Sequence, residues 1–190
     1  MATTNSMFKV VHGSFLEPRN LNYSMTESYS LGTIAIGNTS AGLDRYTWKC
    51  YVNNGWIVIK RTDLVQEHRI TQATNVTELD LAFELNGYPA VVFVANGVPY
   101  LARYNPDSDN YPAKLLEEKF KHPRLCLDLV SMNSGLPVGL VLGYCYNGNL
   151  CYATQKGKFQ NETIIATDPN KHLLWRMGHL PNRNIGFQWR

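Results

Sequence analysis

The sequence predicts an all-β protein of antiparallel meander repeats, a partial β-propeller or a sandwich-like body. Three observations carry this. Runs rich in Val, Ile, Tyr, Phe and Trp, bounded by Gly, Asn and Pro, recur along the chain. Three Asn-Gly dipeptides, Asn54-Gly55, Asn96-Gly97 and Asn147-Gly148, each lie between two such runs. A type I′ hairpin turn needs positive φ at both central residues, which Asn-Gly supplies at little cost. Helix-forming composition, finally, is confined to one short segment.

Taken in order, residues 1 to about 30 are polar with scattered aromatics and read as an arm or lead-in. A single β domain is expected over 31–190. Its first unit has strands at 33–36, 46–52 and 56–60. In 46–52, Tyr46, Trp48, Cys50 and Val52 share one face, and Thr47, Lys49 and Tyr51 take the other. The second unit has strands at 79–85, 90–94 and 98–104. The segment 112–121 (PAKLLEEKFK) reads as the one short helix, with Pro112 in its first turn and His122-Pro123 ending it. The third unit follows with strands at 125–130, 138–146 and 149–154, and runs at 172–177 and 184–189 close the chain. With a two-residue turn at Asn147-Gly148, Cys145 lies opposite Leu150 and Cys151 opposite Tyr144. The two thiols then point to opposite faces and cannot be bridged. Cys50, Cys126, Cys145 and Cys151 lack zinc-site spacing and read as buried thiols.

The units repeat. Gly55, Gly97 and Gly148 are 42 and 51 residues apart, and an earlier Gly turn (Gly42, Gly87, Gly135) precedes them by 13, 10 and 13 residues. The units begin near Gly32, Glu78 and Arg124. Such spacing suits propeller blades, which close with four or more. The C-terminal runs supply a partial fourth unit, or else open edges are covered by other chains.

Composition bounds the function. The chain has 190 residues, 44% hydrophobic, 12% aromatic and only 17% charged, with a net charge of +3. A core is affordable, and the charge is too small to argue for nucleic-acid binding. No basic stretch followed by an apolar one opens the chain, and no apolar run approaches the ~20 residues of a membrane helix. The expectation is synthesis in a cytoplasm without a signal peptide and no membrane insertion. The Asn-x-Ser/Thr triplets at Asn22, Asn38, Asn75 and Asn161 then read as unmodified polar residues.

No P-loop, nucleophile elbow, dinucleotide-binding glycine cluster or H-E-x-x-H occurs, and the five histidines are scattered, so no catalytic residue, cofactor or metal is assigned. Asn105 to Asn110 begins like a calcium loop, but Asn110 stands where Gly is needed and Leu116 where Glu is needed, so it reads as an Asx-rich turn. Asp80, Glu84 and Asp128 are the acids within strand patterns. Asp80 (LDLAF) and Asp128 (LDL) fall at similar places in units two and three, as a structural acid bonding a neighbouring segment would. Arg176, His179, Arg183 and Arg190 interleave with Trp175, Phe187 and Trp189, the pattern of an amphipathic terminal strand. The candidate interface or sugar-stacking aromatics are Tyr88, Tyr100, Tyr104, Tyr111, Trp175 and Trp189.

Two segments, LDLAFELNGYPAVVFVANGVPYLARYN and LLWRMGHLPNRNIGFQW, carry a family resemblance. The first is similar to a D-x-A-F-x-x-x-G-x-P-x-V repeat of tailed-bacteriophage virion structural proteins; the second resembles the closing strands of some of them. The first unit departs from it, since Gly42-Leu43-Asp44 lacks the proline. The resemblance implies a non-enzymatic tail, baseplate or head-to-tail connector protein in the virion. Its partners would be other virion proteins and copies of itself. The alternative is a carbohydrate- or receptor-binding β module whose partner is a surface glycan; a glycoside hydrolase is a weaker third reading.

Overall fold

The computed structural model describes residues 8–12, 29–36, 44–84, 88–128, 139–179 and 185–189. It is all-β, with four antiparallel sheets that follow one another along the chain. The first sheet contains β1 (Phe8–His12), β2 (Tyr29–Ile36), β3 (Asp44–Asn53), β4 (Trp56–Arg61) and β5 (Glu67–Gln72). The second contains β6 (Val76–Phe83), β7 (Pro89–Ala95), β8 (Val98–Arg103) and β9 (Ala113–Leu115). The third contains β10 (Lys121–Leu127), β11 (Leu140–Tyr146), β12 (Asn149–Thr154) and β13 (Glu162–Thr167). The fourth is a hairpin, β14 (Leu174–His179) and β15 (Ile185–Trp189). In each sheet the strands pair in sequence order.

The three Asn-Gly turns are as the sequence predicts. Asn54, Asn96 and Asn147 have φ of 49, 52 and 49°, and Gly55, Gly97 and Gly148 have 77, 77 and 72°. Each joins the second and third strands of a four-strand meander, counting β2 as the first strand of its unit. The register they impose pairs Cys145 with Leu150 and Tyr144 with Cys151. All four cysteines are free and buried.

Neighbouring first strands lie together: β2 beside β6, β6 beside β10, β10 beside β14. β1 in turn touches β6, β10 and β14. The first strands of successive sheets thus lie side by side. The second sheet is therefore covered on both faces, and all seven residues of β7 are buried. A continuous run of apolar side chains there removes enough surface from water to contribute ~1.5–3 kcal/mol for each large residue. Trp48 of the first sheet meets Phe83 of the second at 5.8 Å between ring centres, and Phe120 meets Tyr144 of the third at 4.6 Å. Cys126, Val141 and Met177 pack the third sheet on the fourth.

Three expectations are corrected. The segment 112–121 is not a helix: Ala113–Leu115 is a strand on β8, and the Leu116 amide donates to the Pro99 carbonyl at 2.9 Å. Leu116 and Phe120 still bury together, as helical spacing would allow. A ten-residue helix is marginal on propensity alone, so ladder bonds to β8 override it. Among the described residues the only helical turn is a 3-10 turn at Gln155–Gly157. Within the first 30 residues, Phe8–His12 is a strand paired with β2 rather than an arm. The third correction concerns Asp80 and Asp128. Asp80 lies opposite Val92, four residues before its turn asparagine; the residue at that level of the third sheet is Arg124, opposite Gly143. Asp128 is level with Glu84 instead: their amides donate to the Gly139 and Tyr88 carbonyls, both eight residues before a turn asparagine.

Candidate functional site

Of the acids that a hydrolase reading would need, Asp80 is engaged in holding two sheets together. Asp80 is 4% exposed, and its Oδ2 accepts from the Leu125 amide at 2.8 Å, tying β6 to β10. Beside it Glu78 takes His122 Nδ1 at 2.7 Å and Arg124 Nη1 at 3.0 Å, both from β10. Burial pushes the Glu78 carboxyl up, but the His122 hydrogen bond and the Arg124 charge outweigh it and hold the group below its ordinary range. Glu84 accepts from Arg103 Nε at 2.5 Å. The side chains of Asn105 to Asn110 bond within their own loop: Asn105 Oδ1 accepts from the Asp107 amide at 3.0 Å and Asn110 Oδ1 from Ser108 Oγ at 2.9 Å.

The candidate aromatics fall into separate groups. Tyr88, Tyr104 and Tyr111 are brought together at the end of the second sheet. Tyr88 stacks on Tyr104 at 4.0 Å between centres, and Tyr111 tilts against Tyr104 at 5.3 Å. Tyr104 donates to Asp109 Oδ1 at 2.8 Å, and that bond pushes the phenol up to about 12. Tyr88 covers one face of Tyr104 and is itself 40% exposed. Tyr100 lies elsewhere, stacked on Phe93 at 5.3 Å. Trp189 carries Lys171 Nζ at 5.1 Å from its ring centre. The Trp175 side chain is outside the described residues, as are those of Arg176, His179, Arg183 and Arg190.

Two features were not legible as sites. One is a groove of about 530 Å³ between the outer margin of the second sheet and the turn joining β12 to β13. Pro112, Lys114 and Leu115 form one wall, and Gln155, Lys158 and Phe159 the other, above buried Leu101 and Phe120. Lys158 and Phe159 have φ of 54 and 60°. Two successive left-handed residues with side chains cost ~1–2 kcal/mol each. The turn tolerates this because the Phe159 amide donates to Thr154 O at 2.9 Å and the ring packs on the core.

The other is the outermost strand of the third sheet. β13 has four exposed residues in succession, with Ile164 54% and Ile165 42% exposed, and no strand beyond it among the described residues. Its signal in the sequence is the Thr163-Ile164-Ile165 run of β-branched residues.

Comparison with known families, curated proteins and solved structures finds no match to this chain.

Proposed function

We propose that this chain is a non-enzymatic structural subunit of a tailed-phage virion that docks on neighbouring subunits, and on copies of itself, through exposed sheet margins. The observation that carries the reading is β13, a six-residue margin strand presenting Ile164 and Ile165 to solvent. An open apolar strand is a template for pairing with another chain, and soluble monomers ordinarily blunt such a strand with charge, proline or a bulge; β13 carries one bulge, at Ile165, and still exposes both isoleucines. The only charge on β13, Glu162, is engaged with the Tyr144 hydroxyl. Strand addition of this kind gives main-chain hydrogen bonds and apolar contact together, which suits a permanent assembly.

Sedimentation of the full chain over rising concentration tests this. Association is expected, and Ile165→Lys should abolish it while leaving the circular dichroism spectrum unchanged. A chain that stays a folded monomer at every concentration, or associates equally well with Ile165→Lys, counts against the reading. The carbohydrate-binding alternative has one observation in its favour, the partial exposure of Tyr88 in a cluster of three tyrosines. A glycan array with Tyr88→Ala as control decides it.

A further inference from the structure

We propose that the groove beside β9 receives an extended, acidic peptide segment of a partner protein, added as a strand to the second sheet. The backbone provides the first reason. Among the described residues β9 is the last strand of its sheet. Its ladder bond from the Leu116 amide to the Pro99 carbonyl fixes the alternation of bonded and non-bonded pairs. Lys114, opposite Leu101, then forms the next bonded pair. The amides and carbonyls of Ala113 and Leu115 consequently point away from β8, toward the groove. A donor and an acceptor repeated at strand spacing match a peptide backbone better than a sugar ring.

Side chains give the second reason. Leu101, Leu116 and Phe120 are buried at the bottom, the Phe159 ring closes the far wall, and Leu115 is 59% exposed. Such a surface accepts apolar side chains from alternate positions of a strand. Lys114 and Lys158, one on each wall, are exposed and make no ion pair among the described residues. The other charges of the lining differ: Arg103 is paired with Glu84, and Glu117 with Lys119 at 3.2 Å. The uncompensated charge is therefore positive on both rims, and the segment that complements it carries carboxylates at its margins and apolar groups between.

The inference rests on reading the chain as a docking subunit, but the two tests fail separately, because Ile165→Lys reports on β13 and not on the groove. The probe is a pool of nine-residue synthetic peptides with glutamate at every second position and Val, Leu or Phe between. It is added at millimolar concentration to the isotope-labelled full chain and followed by amide NMR signals. Ala113, Leu115 and residues 155–160 should shift. Lys114→Glu with Lys158→Glu should weaken the effect about tenfold, since two rim charges are reversed. A pool with lysine for glutamate, and a pool with alternate backbone nitrogens methylated, should have no effect. Silence at these amides, equal shifts from all pools, or shifts caused by dextran sulfate in place of the acidic peptides would overturn the proposal, the last by assigning the groove to an anionic glycan.

Discussion

The first and third sheets share a device that the second lacks. In each of the two, a tyrosine three residues before the turn asparagine reaches across the hairpin to a glutamate at the start of the outermost strand: Tyr51 to Glu67, and Tyr144 to Glu162. In each, the ladder to that strand bulges between the second and third residues after the turn glycine, at Ile57/Val58 and Leu150/Cys151. In each, the glycine carbonyl accepts from the residue just past the outermost strand, Ala73 at 3.0 Å and Asp168 at 2.8 Å. The second sheet has Phe93 in place of the tyrosine and Ala113 in place of the glutamate. Its ladder to β9 does not shift, and its outermost strand has three residues rather than six. Where the tie is present, the outermost strand is long. Where it is absent, the strand is short and the groove opens beside it. A long outermost strand thus goes with one polar contact in the first and third sheets.

The contrast yields predictions in order of size. Asp80→Ala should cost about 3 kcal/mol in urea unfolding, because it leaves the buried Leu125 amide unsatisfied between the second and third sheets. A loss under 1 kcal/mol would show that the seam does not depend on Asp80. Next come the turn glycines. Gly55→Ala meets open space and carries only the left-handed backbone penalty, about 1 kcal/mol. Gly148→Ala would also bring a Cβ to 2.9 Å from Pro169 Cα, and about 2–3 kcal/mol is expected. Equal losses at the two sites would erase that difference between the first and third sheets.

Smaller effects test the ties themselves. Tyr144→Phe should destabilise by about 1 kcal/mol and raise amide exchange along β13. Tyr51→Phe, at the exposed tie, should do less. Transplanting the device is the sharper test. Phe93→Tyr alone should destabilise the second sheet, since its ring is buried, and Ala113→Glu should recover about 1 kcal/mol of that loss. No recovery in the double variant means that the tie does not set the margin.

Acid gives the smallest effect. The Glu78 carboxyl is held below its ordinary range in the fold, so the unfolded chain binds the proton more readily. Its contribution is present above the ordinary carboxylate range and is lost as pH falls through the depressed value. Unfolding measured from neutral pH downward should show this loss at the seam between β6 and β10, and Glu78→Gln should flatten it.

The sequence disclosed whatever depends on burial and turn chemistry. The Asn-Gly turns, the strands beside them and the opposed thiols of Cys145 and Cys151 all stand as read. Outermost strands escaped, because EHRITQ and ETIIAT face water and carry no burial alternation, while AKL is too short to show a period. The pairing of Asp80 with Asp128 failed because like motifs were matched by their neighbours rather than by distance from the hairpin tip; measured that way, the first strands of the two units, β6 and β10, are offset by 44 residues and not 48. The tyrosines could have been found by the same count, each lying three residues before Asn-Gly. The groove could not, because its walls come from two sheets and meet only in three dimensions.

The distribution of sulfur gives the molecule a built-in reporter. Cys50 sits in the first sheet and Cys126, Cys145 and Cys151 in the third, with none in the second or in the terminal hairpin. Burial pushes every one of these thiols up, away from the reactive thiolate. An alkylating reagent therefore modifies a site only while the surrounding strands are apart, and the sequence in which the four adducts accumulate records which of the two sheets comes loose first, with no label added to the chain.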